Sequence, residues 1–418
     1  MSEFDLIALG DIADIRMGQS PDSSSYTDDD RFMPFLQGCG DFSEEFPETH
    51  VFCANPGKVA PEGSVLVSVR APVGTTNIAD QEYCIGRGLA SVKSSVLPAV
   101  YLREIFNLSA SFLYRRAQGS TFDAISSQDL RAFPIPVPKK KEQLEQLVDI
   151  FQSVNLEIRT TQALIDKYGV IKQGMMADLF SRGIDPTTAQ LRPSVQDAPE
   201  LYHETPLGSL PKGWEALTMQ SVADDSRGST VIGPFGSDLV ASDYRPEGVP
   251  VVFVRDVKES CFRWVSDTFI SNEKAQRLSA HSVTKGDVVV TKMGLPPCIA
   301  ATYPDDMPCG VITADIIRIR PNADKVLSEW LSLVINSNEV KKQVEKITAG
   351  VTRPKVTLKD FRQLQGRFPT RTEQHEILKR LNPINSSIKL GELSLAKLQR
   401  QKAGLMHDLL TGKVPVSA

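Results

Sequence analysis

Hydrophobic runs of membrane-spanning length are missing from this 418-residue chain. Nothing in it approaches the roughly 18 continuous apolar residues that a transmembrane helix needs, so no membrane association is expected. Cysteine is scarce: Cys39, Cys53, Cys84, Cys261, Cys298 and Cys309 are scattered without C-x-x-C spacing. That excludes a zinc ribbon or a disulfide framework, and the six read as reduced thiols. The opening MSEFDLIALGD is acidic and lacks signal-peptide architecture, so a cytoplasmic location is expected. A basic excess is missing too, the net charge being −4. This lowers the expectation of nucleic-acid binding, although a binder can gather its Lys and Arg on one face.

Catalytic signatures are equally absent. The sequence has no G-x-x-x-x-G-K-[ST], no H-E-x-x-H, no G-x-S-x-G and no G-x-G-x-x-G opening a helix after a strand. His50, His203, His281, His375 and His407 show no ligand spacing, so no metal site is expected. Asp305 and Asp306 in YPDDMP would suit a metal nuclease only with a lysine motif that does not follow, and a solvated turn is the better reading. No catalytic residue and no cofactor are assigned to the chain.

What is present is a duplication. KQGMMADLFSRG (Lys172 to Gly183) returns as KAGLMHDLLTGK (Lys402 to Lys413), 230 residues on. Upstream, AQGSTFDAISSQDLR faces TAGVTRPKVTLKDFR, pairing Gly119 with Gly350, Thr121 with Thr352, Asp129 with Asp360 and Arg131 with Arg362. VPKKKEQLE likewise faces FPTRTEQHE, and PEGSVLVSV resembles TKGDVVVTK. LGDIADIR loosely matches LTMQSVADD near the start of each half. These matches, all in one order, establish an internal repeat, which governs the reading of the rest.

Each half carries a long helical pattern after its Pro138 or Pro369. In the first, Leu147, Phe151, Val154, Ile158, Thr161, Ile165, Tyr168, Lys172, Met175 and Leu179 alternate in steps of four and three. The second repeats this as Ile377, Leu381, Ile384, Ile388, Gly391, Leu395, Leu398, Lys402, Leu405 and Leu409. A seam kept in step over roughly 50 Å of helix is too long for one small domain to cover, so the two seams are expected to bury each other. The fold predicted is α+β: two similar heads related by pseudo-two-fold symmetry, separated by two long antiparallel coiled-coil helices. The boundaries follow as head one over 1–138, a spacer helix over 139–182, a proline-rich linker over 183–205, head two over 206–370 and a second spacer helix over 371–412. Within the heads, GSVLVSV, GDVVVTK and ADIIRIR read as strands, and 101–119 and 330–350 as helices.

Two site-free heads on a two-fold spacer fit a binding protein, with duplex DNA the leading partner because two-fold symmetry maps onto half-site spacing. Candidate readers are Arg16, Gln19, Gln37, Arg70 and Arg87 in head one, and Arg227, Ser237, Arg255 and Lys292 in head two. Arginine suits guanine and glutamine adenine. The turns Gly119-Ser120-Thr121 and Gly350 with Thr352-Arg353 are placed to offer backbone N–H groups to phosphate, or simply to cap the preceding helix.

LPKGWEALTM, GPFGSDL, GVPVVFVRDV and CIGRGLASV, with the two helix entries at EQ and the two GxMxDL helix ends, resemble the specificity subunits of Type I restriction–modification systems. The resemblance covers essentially the whole chain. It implies two target recognition domains, each reading one half of a split asymmetric site. It also implies helices that set the gap and dock two methyltransferase subunits, with restriction subunits joining. S-adenosylmethionine, ATP and magnesium then belong to those partners, and this chain is non-catalytic. Other expectations stay open: a specificity subunit serving a fused methyltransferase-nuclease partner, or a duplicated scaffold that binds proteins.

Overall fold

A computed structural model describes residues 4–44, 46–117, 124–348 and 354–414. The chain divides into two compact units, one of residues 1–166 and 389–418, the other of residues 167–388.

The first unit pairs its opening strand Phe4–Ala8 with Pro134–Pro138, antiparallel, with Phe4 opposite Pro138. Between them lie two sheets. One has the order Ala13–Met17, Leu89–Ser94, Val65–Ser68, Thr76–Ile78. The other has five short strands, in which Met33–Leu36 runs parallel to Tyr83–Ile85. The strand Val65–Ser68 is buried along its whole length, because its two faces serve different cores. Val65 and Val67 pack with Tyr101, Ile105 and Phe106, while Leu66 packs with Leu36 and Ile85. Burial on both faces is why this strand reads as a continuous hydrophobic run rather than an alternation.

The second unit repeats each of these pairings and adds the hairpin Val257–Lys258 with Cys261–Phe262. Glu215–Thr218 pairs with Gln365–Phe368. A four-stranded sheet has the order Thr230–Ile232, Ile316–Ile319, Val288–Thr291, Ala300–Thr302. In the five-stranded sheet Val249–Val252 runs parallel to Gly310–Ile312. Here Val288 and Val290 join the core of Trp214, Trp330 and Ile317, and Val289 faces Tyr303 and Ile312. A cis X-Pro bond follows the central strand in each unit, at Ala71-Pro72 and Leu295-Pro296.

The helical pattern expected over 101–119 is two helices, Ala99–Leu108 and Ala110–Ala117, and the pattern over 330–350 is likewise Ser328–Ile335 and Asn338–Thr348. In the second pair the break has a visible cause. Asn336 accepts from the Ala300 amide at 2.9 Å and donates to the Ala300 carbonyl at 2.8 Å, tying the helix end to the sheet edge. Hydrophobic spacing alone does not register a side chain that turns inward to bond a strand.

Two long helices, Lys141–Arg182 and Arg371–Leu410, follow the two heads. Each seam residue named above is buried or half-buried. In the first unit Leu147 and Phe151 share one core with Met406, Leu409 and Leu410. Farther along, a Cβ built on Gly391 would stand 2.8 Å from Ile165 Cγ1, so the two segments run antiparallel there. Gly391, which looks like a flaw in the seam, sits where the Ile165 side chain leaves little room for another. In the second unit Leu179 enters the core of Trp330, Ile377 and Leu381, with Phe180 stacked on Trp330 at 4.8 Å. The seam ends are therefore buried in head cores as well as against the other helix.

The proline-rich stretch after the first long helix is anchored. Arg192 is a bidentate partner of Glu373, at 2.5 and 3.0 Å, and Glu373 also accepts from the Ile184 amide at 2.7 Å. An antiparallel hairpin, Tyr202–Thr205 with Gly208–Pro211, follows. No helix in the described residues is long and apolar enough to cross a membrane.

Candidate nucleic-acid interface

In the first unit, five backbone segments meet where the four-stranded and five-stranded sheets come together. Gly18 donates to the Leu89 carbonyl, and Gln19 to that of Ile85 at 3.0 Å. Gly86 donates to Leu36, Val69 to Gly88, and Ile125 to Val69. Glycine makes this crowding possible. A Cβ on Gly18 would lie 2.2 Å from the Gly86 carbonyl oxygen, and one on Gly88 would lie 2.7 Å from that of Gln37. No ordinary side chain fits such gaps. The convergence carries four of the five candidate readers of this head: Gln19, Gln37, Arg70 and Arg87 are all exposed on it. Ser20 accepts from the Arg87 amide at 3.4 Å, and Asp41 holds the Gln37 amide at 2.9 Å. Arg16 is not part of the group. Its Nε bonds Asp14 at 2.8 Å and its Nη1 the Val59 carbonyl at 3.3 Å, along the strand.

The second unit builds the same junction with four of the five hydrogen bonds; the fifth, from Gln19, is missing because its counterpart Pro234 has no N–H. Gly233 donates to Ile316, Thr313 to Val252, Lys292 to Asp315, and Val356 to Lys292. A Cβ on Gly233 would lie 2.2 Å from the Thr313 carbonyl oxygen. The parallel strands fix the correspondence, since Leu36 faces Ile85 as Val252 faces Ile312. Counting outward, Gln19 corresponds to Pro234, Gln37 to Phe253, Arg70 to Met293 and Arg87 to Ala314. The bridge of Arg70 to Ala124 recurs as that of Met293 to Lys355.

Around this second junction is a cleft of about 770 Å³, lined among others by Phe253, Arg255, Met293, Leu295 and Asp315. The Arg255 guanidinium lies 4.4 Å over the Phe253 ring and donates to Ser266 at 2.8 Å. Lys292 Nζ lies 4.9 Å from the Phe235 ring centroid and bonds the Ala314 carbonyl at 3.4 Å. Two of this head's candidates, Arg255 and Lys292, thus reach the junction. Ser237 is exposed in the short turn Gly236–Asp238 at its edge. Arg227 is exposed before the strand Thr230–Ile232, whereas the junction follows that strand. Gly119, Ser120, Thr121, Gly350, Thr352 and Arg353 lie outside the described residues.

Phe235, Phe253, Met293 and Leu295 escape a reading that looks for polar readers. Register of the repeat would have found Phe253 and Met293, which take the places of Gln37 and Arg70; Phe235 and Leu295 stand beside the places matched to Gln19 and Arg70. The duplicated pairs Asp129/Asp360 and Arg131/Arg362 turn out to be structural. Ser126 and Thr357 accept from the amides of the two aspartates as helix caps. Arg131 donates to the carbonyl of Ile15, and Arg362 to that of its counterpart Thr230 at 2.9 Å. Asp305 and Asp306 are exposed in a turn, and among the described residues no group of three or more His, Cys, Asp and Glu gathers to hold a metal.

One α+β head built twice, each copy presenting exposed side chains on a glycine-tightened junction and each followed by a long helix, defines a duplicated recognition fold. The chain belongs to the family described as the Type I restriction modification DNA specificity domain, whose model matches residues 1–167 and 242–400. It is 21% identical to the Type I restriction enzyme MjaVIII specificity subunit of Methanocaldococcus jannaschii over 328 residues, 78% of this chain and 72% of the relative. A second specificity subunit of that organism, MjaX, is 40% identical over 133 residues, and this match spans 31% of either chain. The solved S subunit of a Type I restriction-modification system from M. genitalium superposes with a TM-score of 0.63 at 12% identity, over 98% of this chain and 96% of the other. At that identity the last match speaks for the fold alone. The specificity family is generally non-catalytic.

Proposed function

We propose that this chain binds duplex DNA sequence-specifically at a bipartite, asymmetric site, one half-site to each head. The observation that carries this reading is the repeated junction. Four backbone hydrogen bonds are kept in both heads while the side chains at the four matched places all differ, as two unequal half-sites require. In the first head Arg70 and Arg87 are suited to guanine and Gln19 and Gln37 to adenine. Gly119, Ser120, Thr121, Gly350, Thr352 and Arg353 supply phosphate contacts that position the duplex. Arg16, Arg227 and Ser237 lie off the junctions, and backbone contact is the role left to them.

The chain also recruits two methyltransferase subunits and the restriction subunits, which bring S-adenosylmethionine, ATP and magnesium; it carries no cofactor of its own. The helix segments of the first unit leave Leu156, Leu164, Leu390 and Leu393 exposed, apolar surface of the kind that a partner subunit covers. Shared neutralisation of phosphate by those partners is compatible with a net charge of −4.

The test is gel retardation of a randomised duplex pool by the full chain together with its methyltransferase subunits. Retained sequences should share two unequal blocks. Gln37→Ala combined with Arg87→Ala should relax one block and leave the other intact. Retention without any sequence preference would refute the reading.

A further inference from the structure

Resting on the DNA-recognition reading above, we propose that the second head reads its half-site through thymine C5-methyl groups. Leu295 and Phe235 make the contact, in place of the hydrogen bonds used by the first head.

The junctions are built alike but exposed differently. Where the first head exposes Gln19, Gln37, Arg70 and Arg87, the second has the half-buried Phe253, Met293 and Ala314 and the buried Pro234. Next to these stand the most exposed large apolar side chain of the described residues, Leu295 at 88%, and Phe235 at 58%. Single exposed apolar residues are ordinary; a group of them at the rim of one cleft, on a scaffold whose twin is polar, is not.

The loop that carries Leu295 is held firmly. Cys298 donates to the Thr291 carbonyl at 2.7 Å and Lys292 to that of Asp315 at 2.7 Å, closing the loop at its base. Gly294 at its turn has φ 150°, and a Cβ there would stand 2.9 Å from the Pro296 carbonyl oxygen. Leu295 is therefore presented rather than left to collapse into the cleft. On a duplex, the apolar feature at a base edge in the major groove is the thymine methyl, which aliphatic and aromatic side chains contact. The cations Arg255 and Lys292 are engaged with rings and with Ser266 and Ala314, which leaves the apolar rim to face the bases. Backbone phosphates would gain nothing from this surface.

The experiment uses the full chain with its methyltransferase subunits and the duplex selected above. The half-site of the first head is the one relaxed by the Gln37→Ala, Arg87→Ala variant. Thymines are then replaced by uracil in one half-site at a time, which removes only the methyl. Affinity should fall about fourfold per contacted methyl, the worth of one buried methylene-sized group, in the second head's half-site and less than about twofold in the first head's. Leu295→Ala should weaken the thymine duplex to a similar degree and shrink the thymine–uracil difference, and Leu295→Ala with Phe235→Ala should abolish it. Since the uracil duplexes need no variant, the test does not depend on how Leu295→Ala folds. A second half-site without thymine, or equal affinity for thymine and uracil there, overturns this inference while bipartite recognition stands. Loss on Leu295→Ala with no uracil effect points to wedging between bases and also overturns it. Failure to select any bipartite site overturns the recognition reading and this inference with it.

Discussion

Lys402 Nζ lies 3.0 Å from Oε1 of Glu104, a carboxylate whose side chain is 1% exposed. The lysine that interrupts the hydrophobic seam of the second long helix is there to meet it. Asn155 Nδ2 donates to the same oxygen at 3.0 Å, so head, first helix and second helix are all bonded to one buried charge. Removing one partner of such a pair strands the other, and Lys402→Met should destabilise the chain by about 3 kcal/mol. Adding Glu104→Leu should recover most of that loss, since apolar packing can replace a buried pair. Urea unfolding of the two variants checks this; an additive double variant would contradict it.

The glycine junctions can be tested in the same way. Gly18→Ala and Gly233→Ala each drive a Cβ to within 2.2 Å of a carbonyl oxygen and should cost about 3 kcal/mol each. Gly40→Ala has nothing within 4 Å of the new atom and should change stability by less than about 0.5 kcal/mol. Thermal unfolding of the three distinguishes a packed junction from a loose one.

Thiol reactivity should follow burial. Burial pushes the Cys298 thiol up to about 12 and, as the first cause, the Cys84 thiol up to about 11. The thiolate is the reactive form, so both should resist a thiol reagent near pH 8 until the chain unfolds. Cys309 is exposed and should react first. Mass-spectrometric mapping of the labelled sites gives the order.

The repeat and the helix seam were legible because both rest on local, periodic signals. Strands such as Val288–Thr291 are buried on both faces, and the seam keeps its spacing through every turn. The five-stranded sheets were not legible. Several of their strands, such as Tyr26–Thr27 and Phe52–Cys53, are two residues long, too short to show a period. Glu104 could not be found as the partner of Lys402, which lies 298 residues away. At the candidate interface, looking for polar side chains found Gln19, Gln37, Arg70 and Arg87. It passed over Phe253, which stands out only beside its counterpart Gln37, and Leu295, which stands out only by its exposure in the fold.

Spacing between half-sites is proposed to follow helix length. Inserting one heptad in each long helix, after Leu164 and between Ile384 and Leu395, keeps the seam in step and adds about 10 Å of helix. That is comparable to three base pairs at about 3.4 Å each. The gap between half-sites should lengthen while the half-sites stay the same; altered half-sites with an unchanged gap would count against a spacer role.

Bipartite recognition itself is tested most directly by mapping methylated bases across the genome of cells that express this chain with its methyltransferase subunits. The account expects modification at one motif with two unequal blocks and a fixed gap, lost when this chain is deleted. A single continuous motif, or a methylation pattern indifferent to this chain, would contradict it.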